Sequence, residues 1–297
     1  MKRIRRMKML YLMLLLPVVH LAIFHYAPLY GIVIAFKSYK PGLGIWNSPW
    51  NGLEHFRNML GDFAFLRAVR NTFAISFLRL IVGFTLPIAF AMLLNEVIHT
   101  RFKRAVQSIS YFPHFMSWII VASMVVEIFS PERGVINNLI VMFGGDPILF
   151  LSSKTYFVPV LILTDVWKEV GWASILYLAS IASISPELYE AASMDGANRF
   201  HRMRYITLPS LAPVIVILFL LRLGNILNGG FDQILNLYNP LVYEVGDIID
   251  TYVYRVGLEQ FQFDYSAAVG LFKNVVGLAF LIVANQFVRR RSEYGVW

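Results

Sequence analysis

The chain has 297 residues, 58% of them hydrophobic and 15% charged, with a mean hydropathy of +0.61. A soluble domain carries far more charge, so the composition excludes a water-soluble globule and points to a membrane protein. The formal net charge is +8, but the basic residues cluster beside apolar spans, a pattern that membrane topology explains and nucleic-acid binding does not.

Lys2, Arg3, Arg5, Arg6 and Lys8 precede a first apolar window, Met9 to Phe36. It is too long for a signal-peptide core and no small-residue cleavage site follows, so it is expected to be an uncleaved anchor. Windows of the roughly 20 residues needed to cross a bilayer follow near Phe73 to Asn95, Val106 to Phe129, Tyr156 to Ser180, Leu208 to Leu227 and Ala267 to Val288. The expected fold is an all-α polytopic membrane protein with six transmembrane helices. A single domain would cover 1–297: a tail at 1–8, a core of five helices at 71–288, and a loop at 184–209.

Arg101, Lys103 and Arg104, then Arg199, Arg202 and Arg204, then Arg289, Arg290 and Arg291 mark cytoplasmic segments together with the N-terminal tail. Both termini are therefore expected inside. The first outer segment holds Pro41, Gly42, Gly44, Pro49 and Gly52 before a short helix predicted at Leu53 to Leu60. The last, about Asn228 to Ser266, sets Asp232, Glu244, Asp247, Asp250, Glu259 and Asp264 against Arg255 and reads as an acidic outer face, with plain solubilising charge as the alternative.

A charge inside a membrane helix costs about 2.5–3.5 kcal/mol on insertion scales, so each one calls for an explanation. Arg79, Arg222 and Lys273 favour the outer half, where long basic side chains either snorkel to the headgroups or face a pathway. In the fourth span Asp165, Trp167, Lys168, Glu169 and Trp172 lie too deep for an aspartate to snorkel. Spacings of three and four put Asp165, Lys168 and Glu169 on one helical face, with Trp172 beyond them. Carboxylate, amine and indole together suit a sugar site; an Asp165–Lys168 ion pair holding subunits together is the alternative. Asn225 and Asn228, with Gly224, Gly229 and Gly230, mark either a broken helix lining a cavity or a plain helix end. Asn274, beside Lys273, faces the pathway or bonds a neighbouring helix.

Several chemistries are missing from the sequence. There is no cysteine, hence no disulfide, thiol nucleophile or iron–sulfur ligation. No GxxxxGK[ST] phosphate loop occurs, the histidines at 20, 25, 55, 99, 114 and 201 form no zinc pattern, and there is no GxSxG elbow. The chain is thus not expected to be an enzyme.

Residues 190–209 read EAASMDGANRFHRMRYITLP. Ser185 and Pro186 provide a helix start with Glu187 in its first turn, and Gly196 beside Asp195 provides its end. Glu190, Ala191, Ala192, Gly196, Ile206, Leu208 and Pro209 fall at the spacing of the EAA loop, so the segment resembles the coupling helix of ABC importer permeases. AFKSY (Ala35 to Tyr39), PHFMSW (Pro113 to Trp118), SPERGVINN (Ser130 to Asn138), DVWKEVGW (Asp165 to Trp172) and GLFKN (Gly270 to Asn274) are similar to the LplB-like branch of sugar permeases, related to the maltose importer. The resemblance covers nearly the whole chain.

It implies a type I importer permease fold in a prokaryotic cytoplasmic membrane and an oligosaccharide or complex-carbohydrate substrate. Implied partners are a second, homologous permease, two ATPase subunits and an extracytoplasmic solute-binding protein. ATP and Mg would bind the ATPase and no cofactor this chain. Glu190, Ala191, Ala192, Asp195, Gly196, Leu208 and Pro209 would couple to the ATPase. Asp165, Trp167, Lys168, Glu169, Trp172, Arg79, Asn225, Asn228, Lys273 and Asn274 are the candidate pathway residues. An ion-coupled secondary transporter, or an importer of a non-sugar solute, is the alternative; the first leaves the EAA spacing unexplained.

Overall fold

The computed structural model describes residues 8–289 apart from Asn225. The N-terminal basic cluster up to Arg6, Asn225, Arg290 and Arg291 thus lie outside the described residues. The principal helices are α1 (Lys8–Leu21), α2 (Phe63–Asn95), α3 (Thr100–Tyr111), α4 (Trp118–Ile128), α5 (Phe157–Ala182), α6 (Pro186–Met194), α7 (Leu208–Gly224), α8 (Phe231–Leu237) and α9 (Phe263–Arg289). Among the described residues there is no strand, only an isolated bridge between Lys37 and Trp50.

Four helical runs among the described residues are long and apolar enough to cross a membrane: Met9–Phe36, Phe63–Asn95, Arg199–Gly224 and Phe263–Val283. The third window expected from sequence is not one straight helix. Thr100–Phe115 and Trp118–Ile128 meet at 105° and make a fifth span only if taken together. Pro113, buried in a 3₁₀ turn, cannot donate to a continuing helix; Met116 and Ser117 are extended, and Ser117 Oγ caps α4 by accepting from Ile120 N. The count reaches six only with α5, 26 residues long, which has the length of a span but carries Asp165, Lys168 and Glu169 near its middle.

Contacts divide the chain into two compact units: residues to Phe63 with Val253–Lys273, and Ala64–Tyr252 with the segment from Asn274. In the first, Lys37 is buried, donates to the carbonyls of Ile45 and Trp46 at 2.8 Å and lies 4.9 Å from the Trp50 ring centroid. His55 Nε2 lies 3.0 Å from Lys37 O and 3.5 Å from Asp264 Oδ2, and the same carboxylate accepts from Tyr39 N. Asp264 is thus used inside its unit.

The second unit is built on α2 and α5. The buried residues of α2 (Phe65, Ala68, Thr72, Ile75, then Gly83, Pro87, Ala91, Leu94) and of α5 (Phe157, Leu161, Asp165, Lys168, Gly171, Ser174, Tyr177, Ile181) recur every three or four positions, one stripe per helix. The chain after α7 does not stay outside as a loop. It turns at Gly230 (φ +86°) into α8 and puts Ile234, Leu237, Val242 and Ile248 into one core with Ile75, Val121, Val125 and Phe157. Asn71 Nδ2 donates to the carbonyls of Glu244 and Asp247, and Thr72 Oγ1 accepts from Ile249 N. Asp247 is fully buried and accepts from Thr251 Oγ1, and Glu244 pairs with Lys154. Of the acids read as an outer face, Asp247 is buried, Asp250 and Asp264 are half-buried, and Asp232, Glu244 and Glu259 stay exposed.

Gly171 shows how closely α3 and α5 pack: a Cβ there would overlap the main-chain carbonyl of Ser110. A backbone atom cannot rotate away as a side chain does. Gly171→Val is expected to cost about 3 kcal/mol or more and to reduce monodisperse protein after heating in fluorescence-detected size exclusion. Gly270→Ala, where a Cβ meets nothing within 4 Å, should leave the melting profile unchanged.

Candidate functional site

The intramembrane charges form a buried network. Asp165 lies about 12 Å along α5 from its Phe157 end at 1.5 Å per residue. Its Oδ1 is 3.7 Å from Arg79 Nη1, and each side chain is 11% exposed. Arg79 also donates to Gln233 Oε1, while Gln233 Nε2 donates to Leu161 O (2.9 Å) and Thr164 Oγ1 (2.7 Å). Gln233 is fully buried and is brought here only because α8 folds back. Gly230 makes the approach possible, since a Cβ there would overlap the Arg79 guanidinium.

Arg222, near the end of α7, donates from Nη1 to Gly83 O at 2.8 Å. Gly83 leaves the space: a Cβ on it would stand 2.7 Å from Arg222 Nη2. Ser76, Arg79, Leu80, Asp165, Arg222, Ile226 and Asn228 line a cavity of about 190 Å³. Arg79 and Arg222 are thus turned into the bundle rather than snorkelling outward, and three helices bring them to the same space as Asp165.

The rest of the α5 cluster faces a different neighbour. Lys168 donates to His114 O (2.7 Å) and Glu169 Oε1 (3.3 Å) and lies 5.4 Å from the Trp118 ring centroid. Glu169 Oε2 is 2.8 Å from His114 Nδ1. Trp172 stacks on the His114 ring, with centroids 4.4 Å apart and planes 3° from parallel. Asp165 therefore pairs with Arg79 and not with Lys168, while Lys168, Glu169 and Trp172 hold the bend between α3 and α4. Trp172 has two aromatic partners, His114 stacked on it and Phe115 edge-on, and is still 42% exposed.

Trp167 is 44% exposed and stands apart from these groups. Asn228 lines the cavity; Lys273 is half-buried in the first unit and Asn274 exposed in the second. Ser76, His114 and Gln233 are absent from the sequence-based candidates. Only long-range folding joins them to the charges, though Pro113 beside His114 and the glycine pair before Gln233 are visible signals of broken helices.

The other candidate site is the loop between α5 and α7. Ser185 occupies the N-cap of α6 without a side-chain hydrogen bond, Pro186 is the first helical residue, and Glu187 sits in the first turn. At the far end Asp195 is the C-cap and Gly196 takes φ +78°. Ala197 N donates to Ala192 O (2.9 Å) and Gly196 N to Ser193 O (3.1 Å), the paired bonds of a Schellman ending. Glu190 and Ala191 are exposed and Ala192 half-buried. Two bonds fix α6 to the segment leading into α7: Tyr189 Oη to Thr207 Oγ1 at 2.9 Å, and Arg202 Nη1 donating to Ser193 Oγ at 2.8 Å.

Asn198 Oδ1 caps the next helical segment by accepting from His201 N. The return helix therefore begins at Arg199 and not at Leu208 and Pro209, both exposed. A π turn over Met203–Thr207 precedes Pro209, which has no N–H for an α-helical bond. Ala192, Asp195, Gly196, Ala197, His201, Arg202, Tyr205 and Ile206 line a hollow of about 370 Å³, and Met194 and Phe200 are exposed.

A bundle of apolar helices with buried charges and an exposed loop helix fits an integral membrane subunit. The chain belongs to the family of binding-protein-dependent transport system inner membrane components, whose model matches residues 83–293. It is similar to the polygalacturonan/rhamnogalacturonan transport system permease protein YteP of Bacillus subtilis strain 168, 46% identical over 98% of this chain and 90% of the relative. Protein LplB of the same strain is 43% identical over 100% and 93%. The solved bacterial alginate ABC transporter in complex with an alginate pentasaccharide-bound periplasmic protein has a chain that superposes with a TM-score of 0.91 at 42% identity, covering 99% of each chain. The LplB-like branch and the ABC importer permease fold are thereby established.

Removing one partner of a buried ion pair leaves an uncompensated charge, at about 3–5 kcal/mol, whereas removing both is much less costly. Asp165→Leu and Arg79→Leu are each expected to lower thermal stability in detergent, and the double variant to regain a large part of the loss. Additive losses in this double-mutant cycle would show that the two groups do not interact.

Proposed function

We propose that this chain is the transmembrane permease of an importer that moves oligosaccharides or complex-carbohydrate fragments inward across a prokaryotic cytoplasmic membrane. Transport proceeds by alternating access, driven by ATP and Mg on separate ATPase subunits. The observation that carries the reading is α6. It is a short helix with a firm Schellman end, exposed at Glu190, Ala191 and Met194 and braced on the α7 segment by two side-chain bonds. Two adjacent alanines let another surface approach the backbone, Glu190 offers a charge at the contact, and the hollow beside Gly196 accepts a protruding side chain.

The implied assembly is this chain with a second, homologous permease, two ATPase subunits and a solute-binding protein outside. The sugar class follows from what the relatives are named for: polygalacturonan and rhamnogalacturonan for one, alginate for another. The basic residues at Arg101–Arg104 and at Arg199–Arg204 support a cytoplasmic position for α6 and for both termini. Asp165, Arg79, Arg222 and Asn228 line the pathway; Lys168, Glu169 and Trp172 shape it through the α3–α4 bend.

Affinity capture of the tagged chain from mild detergent, read by mass spectrometry, is expected to recover an ATPase and a different permease. Recovery of the folded chain alone would favour a secondary transporter. Glu190→Lys and Gly196→Val, the latter strained by positive φ, are each expected to reduce ATPase recovery or transport-coupled hydrolysis at least tenfold, about 1.4 kcal/mol. Wild-type uptake with full ATPase binding in both variants would reject the coupling role.

A further inference from the structure

We propose that the cavity between α2, α5 and α7 is a subsite for a carboxylate of the transported sugar, with Arg222 as its charged donor and Ser76 as its hydroxyl donor. The inference deepens the importer reading and rests on it. Charge is the first ground. The cavity holds two guanidinium groups, Arg79 and Arg222, and one carboxylate, Asp165. Asp165 and Gln233 engage Arg79, whereas Arg222 has no carboxylate within ion-pair distance among the described residues and donates to the neutral carbonyl of Gly83. A cation excess in a low-dielectric interior favours an anion, and the planar guanidinium fork matches a carboxylate.

Unmet hydrogen bonding is the second, independent ground. Ser76 is 5% exposed and lines the cavity, and among the described residues its Oγ and the buried Arg79 Nε have no hydrogen-bond partner. Buried donors left open in a native fold call for an occupant. The volume, about 190 Å³, is many times the roughly 15 Å³ that one water requires, so the space takes more than a single bridging water. Leu80 and Ile226 supply an apolar wall for the carbon face of a ring whose carboxylate meets Arg222 and Ser76.

The test uses the intact transporter with its binding protein in proteoliposomes, and oligogalacturonate and its methyl ester as probes of equal length that differ in charge. Arg222→Gln is expected to lower oligogalacturonate uptake about tenfold or more while ester uptake stays within about twofold, and Arg222→Lys to retain most of the activity. An equal fall for both probes in Arg222→Gln, or no change in either, overturns the subsite. Absence of any sugar uptake by the unsubstituted assembly is a different result and overturns the importer reading as well.

A second readout needs no uptake of the ester. The chain has no cysteine, so Ser76→Cys gives it a unique thiol. Oligogalacturonate should slow its reaction with a small anionic methanethiosulfonate, the ester should not, and the protection should vanish in Ser76→Cys/Arg222→Gln. Equal protection by both probes, or protection that survives the loss of Arg222, overturns the proposal.

Discussion

The second unit is organised by the need to satisfy a guanidinium in the middle of a membrane helix. Arg79 sits well inside α2, where lipid cannot solvate it. Asp165 on α5 supplies the countercharge, and Gln233 supplies an acceptor that is itself held by Leu161 and Thr164. Placing Gln233 there requires the chain after α7 to reverse into the bundle, and the reversal requires a residue that tolerates positive φ and has no Cβ against Arg79. Gly230 meets both conditions. Re-entry then brings Ile234, Leu237 and Ile248 into the apolar core and uses Asn71 and Thr72 to satisfy carbonyls and an N–H that would otherwise be buried without partners.

The two ends of the unit follow opposite logics. Around Asp165 the side chains are buried and interlocked across helices, and glycines let backbone and guanidinium groups close up. Around α6 the side chains are exposed, and the helix is defined by its own caps with only two bonds to its neighbour. An exposed helix can be built locally. A polar cluster in lipid has to be built from several helices at once.

That difference explains which features are legible in the sequence. The α6 boundaries follow from Pro186, Asp195 and Gly196, because caps are local and each residue type has one conformational reason to be there. The stripe through Asp165, Lys168 and Gly171 follows from helical period. Partners across helices do not: Asp165 meets Arg79, far away in sequence, while Lys168, only three residues on, turns to His114. The bend at Pro113 is hidden because a hydropathy window averages across it, although Pro113 and the cap Ser117 are both in view. The segment after α7 reads as an outer loop from its acids, and the burial of Asp247, whose carbonyl accepts from Asn71 on α2, is a tertiary fact that no local count of charge contains.

Chain connectivity ties the two ends together. α6 is joined directly to α5 on one side and to the helical run of α7 on the other, and Asp165 and Arg222 lie on those same two helices. Both are long and pack against each other. Where α6 shifts relative to the bundle, the two helices that carry opposite charges of the cavity shift with it. Arg79 and Gly83 belong to α2, which has no direct covalent link to α6. Relative movement of α5 and α7 against α2 would therefore change the Asp165–Arg79 and Arg222–Gly83 contacts.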